Sequence, residues 1–151
     1  MTARPATAER LDLAPHPEGG WFRRTWTSPI AVDTANGTRP AATCIHYLLQ
    51  PHERSEWHVV TSDELWLWHG PGRLELSLGG DGVQPGPATT TVLGPTDAAQ
   101  VLVPAGTWQA ARPLEGTEVL VSCFVSPGFD FADWRLADSP TVKQNPNTLQ
   151  E

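Results

Sequence analysis

The stretch SEWHVVTSDELWLWHG, residues 55–70, alternates polar and apolar side chains through two short segments separated by the turn-like sequence VTSD. Successive side chains of a β-strand point to opposite faces, so this alternation predicts two strands joined as a hairpin. Glu64, Trp66 and Trp68 then share one face of the second strand. If the hairpin forms, this face meets the face of His58, and a histidine, a carboxylate and two indoles lie together.

The opposite face of the second strand carries Leu65, Leu67 and His69, so neither face is uniformly polar. This pattern favours a strand that is buried on both sides. The alternative is a half-exposed strand with Glu64 in water. On the first strand, parity places Glu56 on the same face as His58.

The fifteen prolines and thirteen glycines are spread along the whole chain and separate short segments rich in Val, Leu, Trp and Thr. Many short strands between turn signals predict an all-β antiparallel sandwich or barrel. TAERLDL and FDFADWRL are candidates for short terminal helical turns. We expect one domain over residues 1–151, with its core at about 11–136 and a loosely ordered tail at 137–151.

Composition narrows the class of protein. The net charge is −7 and Lys143 is the only lysine, so the sequence lacks the basic stripe of a nucleic-acid-binding protein. No apolar run approaches the length of a membrane span, and the N-terminal segment lacks an apolar core, which together favour the cytoplasm. Cys44 and Cys123 lie in apolar segments and are expected to be buried thiols, with a disulfide or a reactive thiol as the alternative.

Residues 55–70 resemble the first motif of the cupin superfamily, in which a His-x-His pair is followed by a glutamate and a glycine. His58 matches the second histidine, Glu64 the glutamate and Gly70 the glycine, whereas Glu56 replaces the first histidine. In the second motif, Pro-x-Gly-x-x-His, the sequence PAGTWQ has Gln109 in place of histidine. Two of the usual ligand histidines are therefore replaced.

The order of five segments, residues 55–70 among them, resembles one cupin family of uncharacterised function whose members are often labelled predicted sugar epimerases. The segments are PHPEGGWFRRTW, TCIHYLL, SEWHVVTSDELWLWHG, VPAGTWQAARP and VSCFVSPGFDFADWRL, and they span roughly residues 11 to 136. The resemblance implies an antiparallel double-sheet cupin barrel of the jelly-roll type with one interior pocket. Leu67 and His46 depart from the residues usual in that family.

The candidate site follows from parity and from the resemblance. His58 and Glu64 are predicted to be catalytic, since a carboxylate beside an imidazole holds it ready to exchange protons near neutrality. The residues predicted to bind substrate are Arg23, His46, Glu56, Trp66, Trp68 and Gln109. Gln109 is alternatively a partner of a backbone group, and the pair Arg23–Arg24 is alternatively a pair of exposed arginines.

No metal or other cofactor is predicted, because His58, Glu64 and a glutamine form a weak set of ligands for a divalent ion. The alternative is a divalent metal held by His58, Glu64 and His46, if the strand of His46 turns that side chain inward. In the loop PHPEGG, His16 is expected to be exposed, and Glu18 is given no chemical role.

The resulting hypothesis is an isomerase or epimerase that acts on a sugar or another small carbonyl compound by histidine acid–base chemistry. The two alternatives are a barrel that binds a small ligand without turning it over and a metal-dependent oxygenase or isomerase. Cupins often pair through N-terminal strands, so we expect a homodimer that uses GWFRRTW, residues 20–26. By parity its Phe22–Trp26 face meets the partner, and Arg23 points to the pocket mouth.

Overall fold

The computed structural model describes residues 3–138. Within this range one short helix, α1 (Ala6–Leu11), precedes thirteen strands, and a 3-10 helix (Phe131–Asp133) comes before the last strand. The strands are β1 (Ala14–Pro15), β2 (Trp21–Thr27), β3 (Ala31–Thr34), β4 (Gly37–Pro40), β5 (Thr43–Leu49), β6 (Ser55–Val60), β7 (Asp63–Pro71), β8 (Leu74–Leu78), β9 (Thr89–Leu93), β10 (Gln100–Val103), β11 (Gln109–Pro113), β12 (Val119–Ser126) and β13 (Trp134–Leu136). Both predicted helical turns are confirmed, and the tail beyond residue 138 lies outside the described residues.

The strands form two large antiparallel sheets that face each other. A six-stranded sheet has the order β1-β2-β5-β12-β7-β10, a five-stranded sheet has the order β13-β6-β11-β8-β9, and β3 and β4 form a separate hairpin. Neighbouring strands in all three are antiparallel. The predicted all-β double-sheet barrel of the jelly-roll type is therefore confirmed.

The predicted hairpin between β6 and β7 is wrong. β6 pairs with β11 and β13, whereas β7 pairs with β10 and β12 in the other sheet. The connection through Thr61 and Ser62 crosses from one sheet to the other, so His58 and Glu64 approach the interior from opposite walls. The two side chains still face a common cavity.

An irregularity in β6 reverses the predicted orientation of Glu56. Gln109 pairs with His58 and Ala111 with Ser55. The paired residues are thus two positions apart on β11 but three positions apart on β6, which carries one extra residue. A β-bulge of this kind changes the alternation of side chains along a strand. Ser55 and His58 are consequently both buried, and Glu56 is exposed.

A second bulge changes the faces of β2. Arg24 pairs with Ile45 and Trp26 with Cys44, which leaves Thr25 out of the register. Phe22 and Arg24 therefore line the interior cavity, whereas Trp26 stacks on Phe124 outside, with 6.3 Å between ring centroids. The prediction that Phe22 and Trp26 share a face is wrong because parity does not continue through a bulge.

The main core fills the space between the sheets, and a smaller one lies under the helix. The main cluster includes Tyr47, Trp66 and Leu76, and the smaller one packs Ala8 of α1 on Trp21 of the outer sheet face. Cys44 is half-buried, Cys123 is buried, and both are free thiols. No helix among residues 3–138 has the length and apolar character needed to cross a membrane.

Candidate functional site: a buried histidine and two carboxyl groups

A cavity of about 50 Å³ lies between the two sheets and opens to the surface. Its ionisable lining residues are His16, Glu18, Arg24, His58, Glu64 and Cys123. Small-ligand pockets are lined mainly by apolar side chains with a few well-placed polar groups. The lining of the cavity is therefore suited to a small molecule.

His58 makes two polar contacts, and together they fix where its protons lie. Its Nδ1 is 2.8 Å from the main-chain oxygen of Glu56, and its Nε2 is 3.2 Å from Oε2 of Glu18. A carbonyl oxygen only accepts, so Nδ1 must carry a proton. An unprotonated Nε2 and a carboxylate oxygen would both be acceptors. The His58–Glu18 pair therefore holds one further proton between its two side chains.

Glu18 is held by donors on both of its oxygens. The hydroxyl of Ser55 donates to Oε1 at 3.1 Å, and the indole Nε1 of Trp134 donates to Oε2 at 3.2 Å. Donors of this kind stabilise the ionised form of a carboxyl group. They favour the arrangement in which the shared proton lies on the imidazole of His58 and Glu18 carries the negative charge.

The PHPEGG loop places Glu18 in the interior through glycine geometry and two anchors. Gly19 has φ +107°, and a Cβ there would lie 2.1 Å from the main-chain oxygen of Arg54, so only glycine fits. The hydroxyl of Tyr47 donates to the Gly19 carbonyl at 2.5 Å, and the amide of Glu56 donates to the carbonyl of Glu18 at 2.8 Å. The loop is thus tied to both walls of the barrel.

The expectation that His16 is exposed is wrong for its side chain, which is only 5% exposed. The amide of Glu18 donates to its Nδ1 at 3.1 Å, so the ring proton of neutral His16 lies on Nε2. Burial lowers the pKa of His16, against the opposing effect of the Glu18 charge. His16 is therefore neutral at pH 7 and packs edge-on against Phe22, with 4.5 Å between ring centroids.

Glu64 lies in a second hydrogen-bonded chain on the opposite wall. The amide Nε2 of Gln109 donates to Oε1 of Glu64 at 2.7 Å, and the indole of Trp66 donates to the amide oxygen of Gln109 at 2.8 Å. Burial raises the pKa of Glu64 to about 7, and the charge of His58 acts in the opposite direction. At neutral pH this carboxyl group is therefore divided between its acid and its base form, the condition best suited to proton transfer.

Aromatic side chains surround the approach to these polar groups. The rings of Phe129 and Phe131 lie 4.9 Å apart, and those of Phe131 and Trp134 lie 5.5 Å apart, both edge to face. We call Phe22, Phe129, Phe131 and Trp134 the aromatic collar; all four line the cavity. Phe131 is 37% exposed, so the collar reaches the surface.

Arg24, and not Arg23, lines the cavity. Its Nη2 donates to the main-chain oxygen of Phe129 at 2.8 Å. Arg23 lies opposite His46 on the outer face of the six-stranded sheet and is exposed. The prediction of an arginine at the pocket mouth therefore applies to the neighbouring residue.

His46 and Glu56 do not face the cavity either. The ring of His46 lies 6.3 Å from that of His69 on the outer sheet face, and burial with the nearby charges of His69 and Arg23 lowers its pKa. Glu56 points outward because of the bulge in β6. The substrate-binding roles predicted for Arg23, His46 and Glu56 are incompatible with these positions.

Trp66, Trp68 and Gln109 are interior residues that lie behind the cavity wall. Trp66 and Gln109 are almost fully buried, and their polar groups are bonded to each other and to Glu64. Trp68 is half-buried, and its indole donates to the carbonyl of Gly72 at 2.8 Å. These three residues support Glu64 and the core, and they do not contact the space open to a ligand.

The side chains present do not form a set of metal ligands. His46, the third strong ligand considered, is on the other side of the sheet from His58 and Glu64. Both ends of the Gln109 amide are engaged by Trp66 and Glu64. Across residues 3–138 no three His, Cys, Asp or Glu side chains are arranged to hold a metal ion. Of the two residues that replace the usual cupin histidines, Gln109 thus has other partners, and Glu56 is exposed outside the cavity.

Sequence reasoning missed Glu18, the residue in contact with His58, and also Trp134, whose indole donates to Glu18. Glu18 lies in a loop, where strand parity assigns no face. The available signal was a charged residue between a proline and two glycines, a rigid setting that fixes a side chain in one direction. Nothing in the local pattern of Trp134 indicated that its indole would reach Glu18.

Comparison with known proteins places the chain in a family. Residues 6–137 match the family model described as Cupin superfamily (DUF985), and the chain belongs to this family. A hypothetical protein from Leishmania major is 32% identical, with a TM-score of 0.77 over 85% of this chain and 83% of that one. A protein from Shewanella oneidensis is also 32% identical, with a TM-score of 0.78 over 90% of this chain and 85% of that one.

A more distant structure is similar in fold alone. The capsular polysaccharide assembling protein CapF from Staphylococcus aureus is 15% identical, with a TM-score of 0.64 over 84% of this chain and 31% of that one. A comparison with curated proteins found no significant match. The fold and the cavity together define a cupin barrel with an interior small-molecule pocket.

Proposed function

We propose that this protein is an isomerase or epimerase that moves a proton next to a carbonyl group of a small molecule bound in the barrel. The observation that carries the proposal is the buried His58–Glu18 pair on the cavity wall, whose Nε2 and Oε2 atoms lie 3.2 Å apart. A second group, Glu64, lines the same cavity and has a pKa of about 7. An acid and a base that face one small pocket are what this reaction requires.

In the proposed reaction, ionised Glu64 removes the proton from the carbon next to the carbonyl group. The electron pair of that C–H bond forms a carbon–carbon double bond, and the π electron pair of the carbonyl group moves to its oxygen. This oxygen takes the proton of the His58–Glu18 pair, and an enol results. Return of a proton to the other face of the carbon gives the epimer, and return to a neighbouring position gives an isomer. Trp134 and Ser55 hold Glu18 so that the charge left on it remains stabilised.

Deuterium incorporation tests this proposal directly. Small aldehydes, keto acids and keto sugars are incubated in D2O with the protein, and loss of the C–H signal next to the carbonyl is followed by proton NMR. We expect the enzyme-dependent rate on an accepted compound to fall about 100-fold or more in His58→Gln. The rate should rise with pH through about 7, because Glu64 must be ionised to accept the proton.

The matched control is His52→Gln, which changes an exposed histidine on the loop before β6 and should leave the rate unchanged. Equal losses in the two variants, or exchange that is unaffected by His58→Gln, would contradict the proposal.

A second candidate function is a barrel that binds a ligand without converting it. This binding function is favoured because the polar groups of the cavity already form hydrogen bonds with one another. Glu18 accepts from Ser55 and Trp134 while it contacts His58. Such a network also serves to hold a binding pocket in shape. Ligand binding without any enzyme-dependent exchange across the whole panel would select this function.

We further propose that two copies associate through the outer face of the six-stranded sheet. Trp26 is 47% exposed and Leu102 is 52% exposed on this face, which also carries the ring of Phe124. Apolar side chains exposed together on a sheet are typical of an interaction surface. The two free thiols, Cys44 and Cys123, support a place in the cytoplasm, where thiols stay reduced.

A further inference from the structure

The hydrogen-bonding groups of the cavity wall are largely used by the protein itself. The indole of Trp134 and the hydroxyl of Ser55 both donate to Glu18. The hydroxyl oxygen of Thr43 accepts from the amide of Phe129 at 3.0 Å. Between the deep ionisable groups and the mouth, the wall therefore offers a ligand few free donors or acceptors.

The rest of the wall is apolar on every side. The aromatic collar forms one part, and Ile45, Val60, Val125 and the buried thiol of Cys123, which behaves as a small apolar group, complete it. A hydroxyl group that enters such a space gives up its hydrogen bonds to water and finds no replacement, which opposes binding. A flat apolar group, in contrast, gains contact with the ring faces and edges.

The mouth carries a cation. The guanidinium of Arg24 is bonded to the carbonyl of Phe129, a neutral partner, and within residues 3–138 it has no carboxylate at ion-pair distance. Four of its five N–H donors are thus open to a ligand. In a chain with a net charge of −7, this local positive charge selects an anionic group.

We propose that the ligand is a flat, mainly apolar carbonyl compound with one anionic group, and not a polyhydroxylated sugar. Its carbonyl end lies at His58, Glu18 and Glu64, its apolar body lies within the aromatic collar, and its anionic group contacts Arg24. The position of the carbonyl group rests on the proposed function; the apolar body and the anionic group rest on the wall and on Arg24.

Three probe compounds separate these features, with binding measured by isothermal titration calorimetry. 4-Acetylbenzoate has a carbonyl group at one end of a flat apolar ring and a carboxylate at the other. Its methyl ester lacks the charge, and D-glucuronate keeps the charge but carries hydroxyl groups on its ring. We expect 4-acetylbenzoate to bind about ten-fold or more tightly than either of the other two.

Variants of Arg23 and Arg24 test which arginine causes the preference for an anionic ligand. Arg24→Gln should remove the preference for 4-acetylbenzoate over its ester, and Arg24→Lys should retain part of it. The matched control Arg23→Gln changes the exposed arginine on the outer sheet face and should leave the preference intact. Thermal melting curves of all three variants establish that each one is folded.

The outcomes distinguish this inference from the proposed function. D-glucuronate that binds as tightly as 4-acetylbenzoate, or a charge preference that survives Arg24→Gln, would overturn the inference, whether or not deuterium exchange occurs. The expected binding pattern without any His58-dependent exchange would support the ligand class and overturn the isomerase reaction instead.

Discussion

Replacement of Glu64 by glutamine should stabilise the protein at alkaline pH, and the gain should disappear in acid. Burial raises the pKa of Glu64 from 4.5 to about 7, so the folded state keeps a proton that the unfolded state releases. Stability is therefore lost as the pH rises from 4.5 to 7. At 1.36 kcal/mol per pH unit the full effect is about 3 kcal/mol, of which about 2.5 kcal/mol falls between pH 5 and pH 8.

Glutamine is neutral at every pH and keeps the oxygen that accepts from Gln109, so Glu64→Gln lacks this pH dependence. Urea unfolding of the two proteins at pH 5 and at pH 8 gives the free energy of unfolding of each. The free energy of unfolding of the variant minus that of the wild type should be about 2.5 kcal/mol larger at pH 8 than at pH 5. This change corresponds to about 5–10 °C in melting temperature. Any cost of the new amide group is the same at both pH values and cancels.

The control is Glu56→Gln, which removes an exposed carboxylate from the outer side of the opposite cavity wall. Its stability relative to wild type should differ little between pH 5 and pH 8. If the stability difference between Glu64→Gln and wild type is the same at both pH values, Glu64 does not titrate near neutrality, and its proposed role as a base fails with it.

Two further predictions concern the loop and the assembly. Gly19→Ala should destabilise the fold by about 3 kcal/mol or more, because it adds a clash at 2.1 Å to an unfavourable φ. The control Gly80→Ala also has a positive φ, +73°, but open space around it, so it should cost only about 1–2 kcal/mol. Equal losses in urea unfolding would show that the contact with Arg54 is unimportant. Light scattering should give twice the 16.4 kDa monomer mass for the wild type and for Val83→Ala, and a lower mass for Trp26→Ala at micromolar concentration. A wild-type monomer would refute the dimer, and an unchanged Trp26→Ala dimer would refute the interface.

The sequence by itself determined the strands, the class of fold and the inward direction of His58 and Glu64, two of the three residues on which the proposal rests. Alternation of side chains is a local property of an extended chain, so segments such as β7 can be read without knowledge of their partners. Glu64, Trp66 and Trp68 face the interior as parity predicted. Glycine and proline marked the turns because their backbone preferences are also local.

Only the tertiary structure decided which strands pair and where parity is interrupted. A bulge exists only relative to a partner strand, so the bulges that turn Glu56 and Trp26 outward leave no signal in their own segments. The arrangement of the site also depends on the tertiary structure. Glu18 reaches His58 because a loop is tied to both sheets, and the pKa of Glu64 rises because surrounding strands remove it from water. Pairing and burial come from distant parts of the chain, and local pattern does not contain them.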